Sequence, residues 1–196
     1  MMFPHSNISN LIYSFEKYKV VYFRVPKVAS TSIIISLGGI YELRKCDNDK
    51  YDKSYFKFAF VRNPFDRLAS CFRHVIQKGA MQNIQNHPKL YKEMPFDEFV
   101  DVIMDIDVKN MDIHFRPQYT FIPEKPDFVG KFENLQEDYN KVCEKIGIKN
   151  KENLLHKNKT DKTIFKDYYI KKIIKKVVKL YKKDFESFKY DKTINL

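Results

Sequence analysis

The sequence predicts a single α/β domain in which a mainly parallel sheet is flanked by helices, and three observations predict it. Short apolar runs near 19–25, 55–61 and 128–132 have the length and composition of strands. Each leads into a stretch with helical signals rather than into a hairpin turn. Strands alternating with helices imply parallel pairing, with both faces of the sheet covered.

Taken in order, the first strand runs from about 19 to 25, through Val20-Val21-Tyr22-Phe23. A loop at 26–30 then opens a helix from Ser30 to about Leu37, with Ser30, Thr31 and Ser32 as cap and first-turn residues and Gly38-Gly39 as its stop. The second strand, Tyr55–Val61, ends in Arg62-Asn63-Pro64, and Pro64 is placed to open a helix reaching about Gln77. Residues 80–95 carry Pro88 and Pro95 and read as irregular, before a short helix at Phe96–Met104 and a loop bearing His114-Phe115-Arg116-Pro117-Gln118. Phe128–Phe132 is the third strand, and Leu135–Ile146 a helix closed by Gly147. A last helix is predicted over 166–188, with Tyr169, Ile173, Val177, Leu180, Tyr181, Phe185 and Phe188 at three- and four-residue steps and lysines on the other face. With no internal repeat or linker, residues 1–196 are read as one domain.

Composition narrows the function classes. A hydrophobic content of 43%, with 17 Phe and 13 Tyr, argues for a folded globular chain. No signal-peptide pattern opens the sequence, and no apolar run approaches the ~20 residues of a membrane span. Cys46, Cys71 and Cys143 are scattered, which fits a reduced, cytoplasmic setting and supplies no metal-ligand spacing. The net charge of +11 is concentrated late: from Lys141 onward there are 17 lysines against 7 acids. A nucleic-acid surface is one reading of that tail. A solvated helix face is favoured over it, because no arginine accompanies the lysines, while attraction of an anionic substrate stays open.

The chemistry concentrates at two junctions. A loop between a strand and a helix binds anions through backbone N–H groups, and Val25-Pro26-Lys27-Val28-Ala29-Ser30-Thr31-Ser32 adds an ammonium and three hydroxyls. The junction is P-loop-like, yet it lacks the glycines of the ATP-binding version, GxxxxGK[ST]. The neighbouring strand ends in Arg62, a bidentate phosphate ligand, where a nucleotide triphosphatase carries a metal-holding aspartate. Ser70 falls a little over two helical turns later. The pair of motifs reads two anionic groups with no metal.

Val25–Ser32 resembles the 5′-phosphosulfate loop of the sulfotransferases, and Phe60-Val61-Arg62-Asn63-Pro64-Phe65-Asp66-Arg67-Leu68-Ala69-Ser70 resembles their 3′-phosphate motif. His114–Gln118 is similar to the HxRPQ segment of the carbohydrate, Golgi-type branch. The stretches Val129–Leu135 and Tyr181–Phe185 also match, so the resemblance spans nearly the whole chain in order. It implies 3′-phosphoadenosine 5′-phosphosulfate (PAPS) as co-substrate, no metal, and a carbohydrate hydroxyl as acceptor. Lys27 would act on the leaving phosphate oxygen, Val28, Ala29, Ser30, Thr31 and Ser32 would hold the 5′ group, and Arg62 and Ser70 the 3′-phosphate. Lys159, in Asn158-Lys159-Thr160, resembles a late nucleotide-side loop. For the general base, His114 leads, with His74 and Glu133 as alternatives, while His87 and His156 are expected to be solvated. Arg116 is read as a contact for an acidic sugar or the phosphosulfate. Rival readings are a small kinase or NTPase, a basic polyanion- or nucleic-acid-binding protein, and a sulfotransferase fold without catalysis.

Overall fold

The computed structural model describes residues 11–46, 50–77, 87, 89–148, 154 and 166–194. The chain divides into two compact units, one drawn from 7–62 and 118–159, the other from 63–117 and 160–196. Among the described residues there are five strands, β1 (Ile12–Phe15), β2 (Val20–Phe23), β3 (Arg44–Cys46), β4 (Phe56–Val61) and β5 (Phe128–Lys131). Six α-helices accompany them: α1 (Ser30–Ser36), α2 (Pro64–Phe72), α3 (Phe96–Met104), α4 (Leu135–Lys145), α5 (Lys171–Leu180) and α6 (Lys182–Ser187).

The first unit holds the sheet, in the order β3-β1-β2-β4-β5. Strands β2, β4 and β5 pair in parallel, as the alternation of strands and helices predicts. Every residue of β2 and the last four of β4 are buried, which explains their continuous apolar composition. Tyr22 and Phe58, in register, stack with ring centroids 4.8 Å apart. Strand β1 pairs antiparallel with both β2 and β3. Neither β1 nor β3 was anticipated: at four and three residues they are too short to show an alternating pattern.

Helices α1 and α4 belong to the same unit. The Tyr139 and Ser36 hydroxyls hydrogen-bond between them. Asp138 fastens α4 to the end of β5, its carboxylate accepting from the Lys131 N–H at 2.8 Å and pairing with Lys141 at 2.8 Å. Gly130 of β5 faces Phe60 in register, and a Cβ there would lie 2.4 Å from the Phe60 ring. As predicted, a glycine ends α4: Gly147 takes φ 77°, and the Ile148 N–H returns to the Cys143 carbonyl at 2.9 Å.

The second unit is helical. Pro64 opens α2 as predicted, and the Asn63 side chain caps it by accepting from the Phe65 N–H at 2.9 Å. The helix widens into a π-type turn over Arg73–Gln77. Phe65, Phe72, Phe99, Phe115, Val177 and Phe185 form its core, with Phe65 4.9 Å from Phe185 and 5.2 Å from Tyr169. Burial of each such side chain contributes about 1.5–3 kcal/mol. The single helix predicted over 166–188 is instead a 3₁₀ turn at Lys166–Tyr168 followed by α5 and α6. The division between the two helices falls at Tyr181, which leaves helical geometry (φ −103°, ψ 24°) while its buried hydroxyl donates to the Phe115 carbonyl. Among the described residues no helix is long and apolar enough to cross a membrane. Cys46, Cys71 and Cys143 are buried free thiols.

Candidate active site

In the sheet unit, the parallel pairing of β2 with β4 sets the C-terminal ends of the two motif strands side by side. Ligands of α/β sheets bind at such ends. The loop after β2 takes the conformation that glycines supply elsewhere: Lys27 has φ 71° and Ala29 φ 61°. A left-handed residue with a Cβ costs about 1–2 kcal/mol, and such strain collects at functional sites. Ala29 in that region followed by helical Ser30 is the backbone pattern that turns successive N–H groups toward one side, the geometry of a nest. The N-cap of α1 is therefore Ala29, with no side-chain cap bond, and not one of the three hydroxyl residues. Ser30 is buried, and its Oγ accepts from Arg24 Nε at 3.3 Å. Thr31 is exposed, Lys27, Ala29 and Ser32 are half-buried, and Val28 is buried.

Arg62, 4% exposed, follows β4 directly, and its Nη1 donates to the Lys27 carbonyl at 3.2 Å. Its guanidinium carbon lies 4.0 Å from the centroid of the Phe132 ring, in cation–π geometry. Its backbone is clamped by Gln118: the Arg62 N–H donates to Oε1 at 2.9 Å and Nε2 donates to the Arg62 carbonyl at 2.8 Å. Gln118 is fully buried. One predicted ligand thus bonds the loop that carries the other, and a glutamine and a phenylalanine far away in sequence hold it there. Glu133, next to Phe132, is exposed.

The helical unit carries Ser70, half-buried on α2, and His74, His87 and His114. His114 Nδ1 lies 2.7 Å from Asp112 Oδ1, the same oxygen that accepts the His114 backbone N–H at 2.9 Å. Burial pushes the Asp112 carboxyl up, but the hydrogen bonds from His114 and its charge outweigh it, and the group stays below the ordinary carboxylate range. A carboxylate on Nδ1 fixes the orientation of the ring. The loop around it is held by its carbonyls. Arg67, 1% exposed, donates to the Arg116 carbonyl at 2.9 Å and the Ile113 carbonyl at 3.4 Å; Cys71 donates to that of His114, and Tyr181 to that of Phe115.

His74, on the π-type turn, has its ring 5.4 Å from that of His114. His87 is not solvated as expected: it lies partly buried, 5.5 Å from the Phe115 ring, and burial lowers its pKa. Arg116 is likewise not a surface contact. It is 3% exposed and donates to the carbonyls of Met111 at 3.0 Å and Lys109 at 3.2 Å, which braces the loop from within. Lys159 and His156 lie outside the described residues. Among the described residues no group of three or more His, Cys, Asp or Glu side chains is arranged to hold a metal ion.

Sequence reasoning missed Asp112, Gln118 and Phe132 as positioning residues. Asp112 had a usable signal, an acid two residues before a candidate base, whereas the partners of Gln118 and Phe132 are set by the chain's return to the sheet.

Comparison with known proteins supports the family resemblance. The chain is 27% identical over 163 residues to carbohydrate sulfotransferase 14 of Danio rerio, covering 70% of this chain and 44% of that protein. It is 29% identical over 183 residues to carbohydrate sulfotransferase 9 of Homo sapiens, covering 69% and 41%. The chain thus spans less than half the length of the curated relatives it matches. No solved structure matches it significantly. The model of the sulfotransferase family matches residues 11–191, nearly the whole length including both strand–loop–helix junctions, and the chain belongs to that family.

Proposed function

We propose that this protein is a PAPS-dependent sulfotransferase acting on a carbohydrate hydroxyl. The observation that carries the proposal is the bond between Arg62 Nη1 and the Lys27 carbonyl, which joins the two anion-binding junctions into one cationic wall at the ends of adjacent parallel strands. An ammonium, a guanidinium, a backbone nest and three hydroxyls suit a nucleotide with separate 5′ and 3′ anionic groups. The carbohydrate acceptor is drawn from the relatives, both of them carbohydrate sulfotransferases.

In this reading the acceptor oxygen attacks sulfur as the bond from sulfur to the bridging phosphate oxygen breaks. Lys27 and the 28–32 nest balance the charge that develops on that oxygen. His114, oriented by Asp112, receives the hydroxyl proton on Nε2 as the new bond forms. Arg62 and Ser70 are assigned to the 3′-phosphate. The described part of the loop carries no step that calls for a metal.

The test is nucleotide choice with transfer. 3′-Phosphoadenosine 5′-phosphate should bind well ahead of ADP and ATP in calorimetry, and Arg62→Ala should remove about 1.5–3 kcal/mol of that preference. Lys27→Ala should lower kcat for transfer from PAPS by orders of magnitude, with a smaller effect on nucleotide affinity. Equal affinity for ATP and the 3′-phosphorylated nucleotide, or transfer abolished by EDTA, would overturn the proposal in favour of a metal-dependent kinase or NTPase.

A further inference from the structure

On the other flank of α1, away from its bond to Tyr139, lies a cleft of about 680 Å³ within the sheet unit. Thr31, Ile34 and Ile35 of α1 form one wall, at the three- and four-residue steps of a single helix face, and Leu43 adds to the apolar floor. Tyr13 of β1, Arg24 and Lys45 of β3 supply the polar side, both charges positive. Arg24 is held in place by neighbours on two elements: its Nη1 donates to the Tyr13 hydroxyl at 3.3 Å and its Nε to Ser30 Oγ at 3.3 Å.

The register of the sheet gathers the polar groups on one face. Lys45, Tyr13 and Tyr22 are in register across β3, β1 and β2, so their side chains stand on the same face of the sheet. The floor also keeps apolar surface in water: Ile35 remains 44% exposed on a helix whose opposite face is buried.

A pyranose ring carrying an acid matches this chemistry, since it has an apolar C–H face, hydroxyls and one anionic group. We infer that the cleft binds an anionic sugar unit of the acceptor, its acid meeting Arg24 and Lys45 and its ring face lying on Ile34, Ile35 and Leu43. The sugar part of this inference rests on the proposed carbohydrate acceptor, and the anionic part rests on the cleft. Because Arg24 also holds Ser30 at the start of α1, an occupant would touch the donor loop through a single side chain.

The experiment measures oligosaccharide binding to the full chain by calorimetry with no nucleotide present. The probes are a hexuronate-containing tetrasaccharide, its carboxyl-reduced counterpart, and that counterpart bearing sulfate esters, which separates carboxylate from sulfate recognition. At least one anionic probe should bind about tenfold or more tightly than the neutral one. Lys45→Glu, on an exposed side chain, should abolish that advantage while the unfolding midpoint and the affinity for 3′-phosphoadenosine 5′-phosphate stay as in the wild type. Lys172→Glu, which makes the same charge change on the exposed face of α5, should leave oligosaccharide binding within about twofold. Equal binding of charged and neutral probes would overturn the inference, and so would equal losses from Lys45→Glu and Lys172→Glu, which would mean diffuse attraction to a basic protein. Failure of the sulfotransferase reading would show separately, as absence of selective nucleotide binding.

Discussion

Gln118→Leu tests whether the candidate site depends on a side chain that is assigned no contact with the ligand. In the wild type both ends of the Gln118 amide meet the Arg62 backbone, at 2.9 Å and 2.8 Å, and Gln118 and Arg62 are 0% and 4% exposed. Leucine fills nearly the same volume, so little of the effect arises from a cavity. It deprives a buried N–H and a buried carbonyl of this partner, at about 1–3 kcal/mol each. Some of that is offset by the added apolar burial, leaving a net loss of about 2–5 kcal/mol. With a urea slope of about 2 kcal/mol/M, the unfolding midpoint should fall by about 1–2.5 M. The strand end that carries Arg62 should also lose its fixed geometry, so the preference for 3′-phosphoadenosine 5′-phosphate over ADP should shrink even at urea-free, fully folded conditions. Gln118→Glu is the informative companion. It keeps an acceptor for the N–H but sets a carboxylate oxygen against the Arg62 carbonyl, and should fall between wild type and leucine. A midpoint shift under about 0.3 M for Gln118→Leu, with nucleotide preference intact, would refute the reasoning.

The other predictions concern the base and the sheet. Removing general-base help costs roughly 10²–10⁴-fold, so His114→Ala should lower kcat by about that factor while nucleotide affinity holds; retention of a third of wild-type kcat would move the base to His74 or Glu133. Asp112→Asn should reduce kcat with little change in KM, since it alters how the imidazole is held and not what binds the acceptor. The same substitution has a pH signature. The folded-state Asp112 carboxyl is depressed, so its contribution to stability is fully present above the unfolded value of about 3.9 and is lost as pH falls through the folded value. Urea unfolding between pH 3 and 7 should therefore show less acid destabilisation in Asp112→Asn than in the wild type. Gly130→Ala places a Cβ 2.4 Å from the Phe60 ring and should destabilise the protein by about 1–3 kcal/mol, read in the same unfolding assay; a neutral result would mean the ring moves aside at no cost.

The parallel heart of the sheet, the proline that opens α2, the glycine that closes α4 and both strand–loop–helix junctions were legible in the sequence. Each is fixed by local chemistry: an apolar run of strand length, a ring that presets φ, a residue that tolerates positive φ, a cluster of donors after a strand. Lys27, Arg62 and His114 were nameable for the same reason, because their motifs are contiguous. What the sequence withheld was decided by contacts between distant segments. The short strands β1 and β3 exist because they complete hydrogen bonds at the edge of a sheet already formed by β2 and β4. Lys27 and Ala29 take left-handed geometry that their side chains disfavour, and only the packed loop imposes it. Arg116, legible as a cation in a ligand-binding segment, is turned inward because the loop's carbonyls need a buried donor more than solvent needs a charge. Gln118 meets Arg62 across 56 residues of chain, and the amide patterns that make it a clamp exist only once both are buried, where an unpaired backbone group is too costly to leave.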